Sequence, residues 1–151
     1  MNEKPSDWEP RVLAFMCNWC LYTKADQADI AKAQELSDVQ VVKVPCSGRI
    51  NPLFILKALE EGHDGVLVVG CHPGDCHYKE GNYLGRRKFA TLKSFLEYLG
   101  IEEERVRFAW VSPAERGKFS GLVRELIADV KKLGPARKLT RSPAQKVKGE
   151  R

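Results

Sequence analysis

A chain of 151 residues, 43% of them apolar, with 12 glycines and 8 prolines, has the size and composition of a single globular domain with one compact core. No stretch approaches the roughly 20 uncharged apolar residues needed to span a bilayer, and the polar start MNEKPSDWEP has no apolar signal-peptide centre, so a cytoplasmic protein without a membrane span is expected. The net charge of +5 is no nucleic-acid footprint, because residues 1–133 carry 19 Lys+Arg against 19 Asp+Glu while residues 134–151 carry 6 against 1.

In chain order, RVLAFM (11–16), VQVVKV (39–44), GVLVVG (65–70) and RVRFAWV (105–111) are short runs rich in apolar and β-branched residues and read as strands. The middle two are apolar at nearly every position, the pattern of parallel strands covered on both faces. Helices are expected over 24–36, 52–61, 83–99 and 113–133. Phe89, Leu92, Leu96 and Leu99 give the third an apolar stripe ended by Gly100. In the fourth, Phe119, Leu122, Val123, Leu126, Ile127, Val130 and Leu133 recur at helical spacing. Ser112, Pro113 and Glu115 fit its N-cap, N1 and N3 positions, and Gly134-Pro135 stops it.

Four strand-then-helix units predict a small three-layer α/β fold, with a four-stranded parallel sheet and right-handed crossovers. A flavodoxin-like strand order, 2-1-3-4, is expected. The tail GPARKLTRSPAQKVKGER (134–151) is basic and aperiodic. It is expected to be disordered, beside a folded domain over 1–133.

The chemistry lies in five cysteines: Cys17, Cys20, Cys46, Cys71 and Cys76. An odd count without a secretion signal argues against a disulfide framework and for metal or redox chemistry. Each thiol falls at the carboxyl end of a predicted strand, in MCNWC, VPCSGR and GCHPGDCHY. Ligand crevices of open α/β sheets lie at that edge, so three loops are expected to deliver five thiols to one site. A four-sulfur shell suits zinc or an iron–sulfur cluster. A chain with a full apolar core has little need of a structural zinc, which favours the cluster.

Gly48, Gly70 and Gly74 allow backbone to approach sulfur, and Arg49, His72 and His77 stand close enough in sequence to offset thiolate charge. The histidines fit turn positions bonded to backbone better than they fit ligand positions. A thioredoxin-like redox pair explains Cys17 and Cys20 but leaves three thiols idle. Covalent haem attachment needs a shorter spacing and export from the cytoplasm, and a Rieske centre needs a different placing of His.

With these motifs in order, CNWC at 17–20, PCSGR at 45–49 and GCHPGDCHYKEGNY at 70–83, the chain resembles the delta subunit family of methyl-viologen-reducing hydrogenase over about residues 10–133. Met16 stands where many of that family carry a further Cys. The resemblance implies a 2Fe-2S protein that relays electrons from a hydrogenase, or a formate dehydrogenase in its place, to the flavin subunit of heterodisulfide reductase.

On that reading Cys17, Cys20, Cys71 and Cys76 anchor the cluster, and Cys46 either replaces one of them or lies beside it. Tyr78, Tyr83 and residues 85–88 are candidate interface groups. A thiol-disulfide or zinc-binding accessory subunit is the alternative. No paired carboxylates, nucleophile–base pair or phosphate loop suggests a reaction of the chain's own.

Overall fold

The run Arg11–Cys17 forms β1, and it is paired on both sides: with β2 (Asp38–Val44) in the register Arg11 to Asp38 through Cys17 to Val44, and with β3 (Gly65–Gly70) from Val12 opposite Gly65 to Met16 opposite Val69. Beyond β3 lies β4 (Val106–Trp110), with Gly70 opposite Trp110. All pairs are parallel and the order is β2-β1-β3-β4, the expected 2-1-3-4 arrangement. The computed structural model describes residues 7–113, 115, 117–137 and 139.

Helices α1 (Lys24–Glu35), α2 (Pro52–Glu60), α3 (Gly81–Tyr98) and α4 (Lys118–Leu133) alternate with the strands. The two-residue period of the strands sorts the core into two layers. Val12, Ala14, Met16, Leu67 and Val69 face α1 and α4, where Ile30, Ala33, Phe119, Val123, Leu126 and Val130 meet them. Leu13, Phe15, Val66 and Val68 face α2 and α3, against Ile55, Leu59, Leu92 and Leu96. Burying each such side chain is worth about 1.5–3 kcal/mol, so the domain carries its own core without help from a metal.

Three local expectations are corrected. β2 is not covered on both faces: it is the edge strand, Val39 alone in it is buried, and Val42 is exposed. Its run of valines reflects strand propensity and not burial. Second, α4 begins at Lys118 and not at 113. Glu115 does accept from Ser112 N at 3.1 Å, one half of a capping box, but Gly117 at φ 75 breaks the helical path between that turn and the helix. Third, α3 starts two residues early, at Gly81. For α1, Thr23 and Asp26 cap each other's backbone in a reciprocal box that apolar periodicity alone does not reveal.

Gly134 ends α4 as expected. The chain just past it is held: Arg105, 1% exposed, donates to Gly134 O at 2.8 Å and to Asp64 O at 3.0 Å, while Ala136 N donates to Asp64 Oδ1 at 2.8 Å. Residues 138 and 140–151 of the expected disordered tail lie outside the described residues.

Arg105 is the largest fully buried side chain of the described residues, and its Nε also bonds Glu102 at 2.7 Å. Replacing it by leucine strands two buried carbonyls and removes an ion pair. The expected cost is about 3 kcal/mol, read as a lower urea midpoint at unchanged slope. An unchanged midpoint would show that the guanidinium has no part in holding α4 to the sheet.

Candidate metal centre

The parallel pairing of β1 with β2 and β3 makes all three strands end on one edge, and there the cysteine loops converge. Cys17 is the last residue of β1. Cys20 follows within a tight turn whose N–H donates to Cys17 O at 3.3 Å. Cys71 directly follows β3. The three sulfurs lie within 4.8 Å of one another, Cys20 to Cys71 at 3.1 Å and Cys17 to Cys71 at 3.8 Å. All three are buried, and they continue the apolar layer under α1 and α4.

The other two thiols make a second pair. Cys46 precedes the 3₁₀ turn Ser47–Arg49, and its sulfur lies 3.9 Å from that of Cys76. What allows this is a close approach of backbone. A Cβ on Gly81, the first residue of α3, would sit 2.2 Å from Cys46 Sγ, and one on Gly48 would sit 2.6 Å from Gly81 O. Gly85 and Gly70 likewise leave space that Ser47 fills. Gly48 and Gly70 are among the glycines expected at this edge. Gly81 and Gly85 are not, although their spacing of four residues at the start of a helix is a signal that could have found them.

Asn82 was also missed. It is fully buried, and its side-chain amide donates to Cys71 O at 3.0 Å and His72 O at 2.9 Å, so it holds the loop after β3 against the start of α3. Gly74 turns that loop with φ 88. The two histidines pair with side chains and not, as expected, with backbone. His72 Nε2 meets the carboxylate of Glu115, and His77 stacks on Trp19 with ring centres 3.8 Å apart and planes at 10°. The stack ties the Cys17–Cys20 loop to the Cys71–Cys76 loop. Arg49 lines a cleft of about 540 Å³ that Cys46, Tyr78, Gly81 and Leu84 also line.

The triad cannot ionise freely. Hydrogen bonds from the Cys20 thiol, then from Cys71, hold Cys17 down at about 3 against the pull of burial, helped by Trp19 N–H at 3.4 Å from its sulfur. Donating to Cys17 pushes Cys71 up to about 12, and donation to Cys17 and Cys71 together with burial pushes Cys20 up further. Burial raises Cys46, outweighing the Gly48 N–H. By itself the cluster thus holds one thiolate bridged by two thiols. A soft cation that ligates sulfur offsets the negative charge and lets the remaining protons leave. Donors that are all sulfur fit zinc, copper(I) or iron–sulfur, and exclude a magnesium or calcium site here.

Comparison with known proteins gives a consistent picture. The family described as "Methyl-viologen-reducing hydrogenase, delta subunit" matches residues 12–134. The iron-sulfur subunit of the F420-non-reducing hydrogenase of Archaeoglobus profundus is 51% identical over 129 residues, which cover 85% of this chain and 94% of that protein. The iron-sulfur subunit of the vhc F420-non-reducing hydrogenase of Methanococcus voltae is 46% identical, over 85% of this chain and 90% of its own length. One component of the ferredoxin:CoB-CoM heterodisulfide reductase of Methanosarcina mazei is 39% identical over 83% of this chain but only 16% of that protein, so the same unit occurs there as part of a much longer chain.

Two outcomes follow from the geometry around the thiols. Asn82→Ala should cost about 2 kcal/mol of stability, because the buried Cys71 carbonyl and the half-buried His72 carbonyl lose their donor, and it should speed alkylation of Cys71 in the metal-free protein. Equal alkylation rates would detach Asn82 from the loop. For Glu115, burial pushes its carboxyl up, but Lys118 and His72 outweigh it and hold the group at about 2, below its ordinary 4.5. A lowered folded value makes the contribution complete above pH 4.5 and lost as pH falls towards 2. The stability gap between wild type and Glu115→Gln should therefore shrink as pH falls from 4.5 towards 2 in urea titrations.

Proposed function

This chain belongs to the methyl-viologen-reducing hydrogenase delta subunit family, and we propose that it is a non-catalytic electron-transfer subunit carrying a 2Fe-2S cluster. In this reading Cys17 and Cys20 hold one iron, and Cys71 with Cys76 the other, with Cys46 beside the site or in place of one ligand. The observation that carries the proposal is the buried trio of sulfurs within 4.8 Å, with a second thiol pair on the same sheet edge.

When bound, such a cluster supplies a one-electron acceptor and donor. The chain's own part is to fix and shield it. β1 and β3 set the spacing of Cys17 and Cys71, Asn82 and Gly81 position the later loop, and the Trp19–His77 stack ties the two loops together. Trp19 N–H is placed to stabilise the Cys17 thiolate, the kind of contact by which a protein tunes the potential of a sulfur-ligated centre.

The partners we propose are a hydrogenase, or a formate dehydrogenase in its place, as donor and the flavin subunit of heterodisulfide reductase as acceptor. The naming of the relatives as hydrogenase iron-sulfur subunits supports the first. The occurrence of a like unit inside a longer heterodisulfide reductase chain supports the second, because a domain carried on the same polypeptide works at short range from it. Tyr78 and Tyr83 are exposed on the cysteine edge and suit such a contact. No helix of the described residues is long and apolar enough to cross a membrane. A cytoplasmic setting completes the proposal.

Anaerobically purified protein should contain iron and acid-labile sulfide in equal amounts and give an EPR signal on reduction. Cys17→Ser and Cys71→Ser should each lower iron content by roughly tenfold or more. Zinc, or no metal, would replace the relay by the zinc-binding or thiol-disulfide reading, and unchanged iron in both variants would end the shared-site proposal.

A further inference from the structure

The five thiols differ in how the fold presents them. Cys17, Cys20 and Cys71 are sealed at 2%, 1% and 4% exposure, so even the nearest pair, Cys20 and Cys71, is closed to solutes. Cys76 is the partly exposed thiol of the five. Its near neighbour is Cys46, 3.9 Å away and 4% exposed, whose sulfur sits against Gly81. An outer thiol that meets solvent first, with a buried thiol behind it, is the arrangement of an attacking and a resolving cysteine.

We propose that Cys46 and Cys76 form a reversible disulfide in the metal-free chain, made by exchange with a low-molecular-mass disulfide that meets the partly exposed Cys76 from solvent. The Cys76 sulfur attacks the small disulfide, forming a mixed disulfide and expelling one small thiolate. The Cys46 sulfur then attacks the Cys76 sulfur and expels the second. Two protein thiols lose two electrons and two protons, and the small disulfide gains them as two small thiols. Closure needs the sulfurs to move together by less than about 2 Å from 3.9 Å, within the reach of side-chain rotation alone. The proposal goes beyond the cluster reading and leans on it only for its consequence: with Cys76 in a disulfide, the chain cannot complete a four-sulfur shell until it is reduced.

Gly81 makes the geometry specific. A side chain there would meet Cys46 Sγ at 2.2 Å and Cys76 Sγ at 3.5 Å, so Gly81→Ala turns Cys46 away while keeping all five thiols.

The test uses the full chain, stripped of metal under reducing anaerobic conditions and then exposed to oxidised glutathione, alkylated and peptide-mapped. A Cys46–Cys76 disulfide free of glutathione is expected. Cys46→Ser should keep glutathione on Cys76, and Gly81→Ala should close the bond roughly tenfold more slowly. A first disulfide within Cys17, Cys20 and Cys71, or lasting glutathione on Cys76 in the unaltered chain, overturns the proposal. Iron and sulfide uptake is measured on the same samples. If the oxidised chain takes up iron as fully as the reduced one, the blocking role falls, whereas a reduced chain that forms the disulfide yet takes up no iron defeats the cluster reading and leaves the disulfide standing.

Discussion

Parallel pairing of β1 with a strand on each side is the constraint from which the site follows. β1 meets β2 along its full length and β3 along five residues, so all three run in one direction and must release their following loops at one edge. Residues far apart in the chain, Cys17 and Cys71, are thereby brought to 3.8 Å without any contact between their loops being required first. The crossover helices buried against both faces fix that edge in place, and the Arg105 and Asp64 clamp at the opposite end holds the last helix to the same sheet. Stability and chemistry therefore sit at opposite ends of the strands.

Crowding thiols is costly, and the local structure shows how the cost is limited. With Cys17 held as thiolate and Cys20 and Cys71 as its donors, the metal-free triad carries one negative charge in place of three. Two uncharged thiols cap that charge in an apolar layer, where full ionisation would be prohibitive. On the proposed reading a metal would be the counter-charge, and proton loss and metal uptake would be one coupled event.

Much of this was legible in the sequence, and the misses have physical causes. The strand order, the two helical stripes and the placing of five cysteines on one edge depend on periodicity and alternation, which any reading of the chain retains. Edge exposure of β2 is a tertiary fact: Val41 and Val42 look the same in a central strand, and only the position of the strand in the sheet decides. The late start of α4 turned on Gly117, whose positive φ overrode a sound capping sequence at Ser112–Glu115. Asn82 and Gly81 belong to packing between segments distant in the chain, and their roles exist only once Cys46 has been folded against α3. The histidines were read as turn residues because their neighbours in sequence are turn residues; their true partners, Trp19 and Glu115, are far away in the chain.

The cysteines divide into a buried triad and a pair in which Cys46 is buried and Cys76 partly exposed, and on the proposed reading this meets two demands on a small electron carrier. A cluster must be kept from water and oxidants, which favours burial, yet an electron must leave over a short distance, which favours the surface. Placing the triad at the very end of β1 and β3, where all three thiols are buried, meets the first demand, and the Trp19–His77 stack joins the two loops that carry it. Trp19 is itself 43% exposed and Tyr78 53%, aromatic surface that the proposed partner would cover. Docking there would complete the exclusion of water at the moment when the electron has to move.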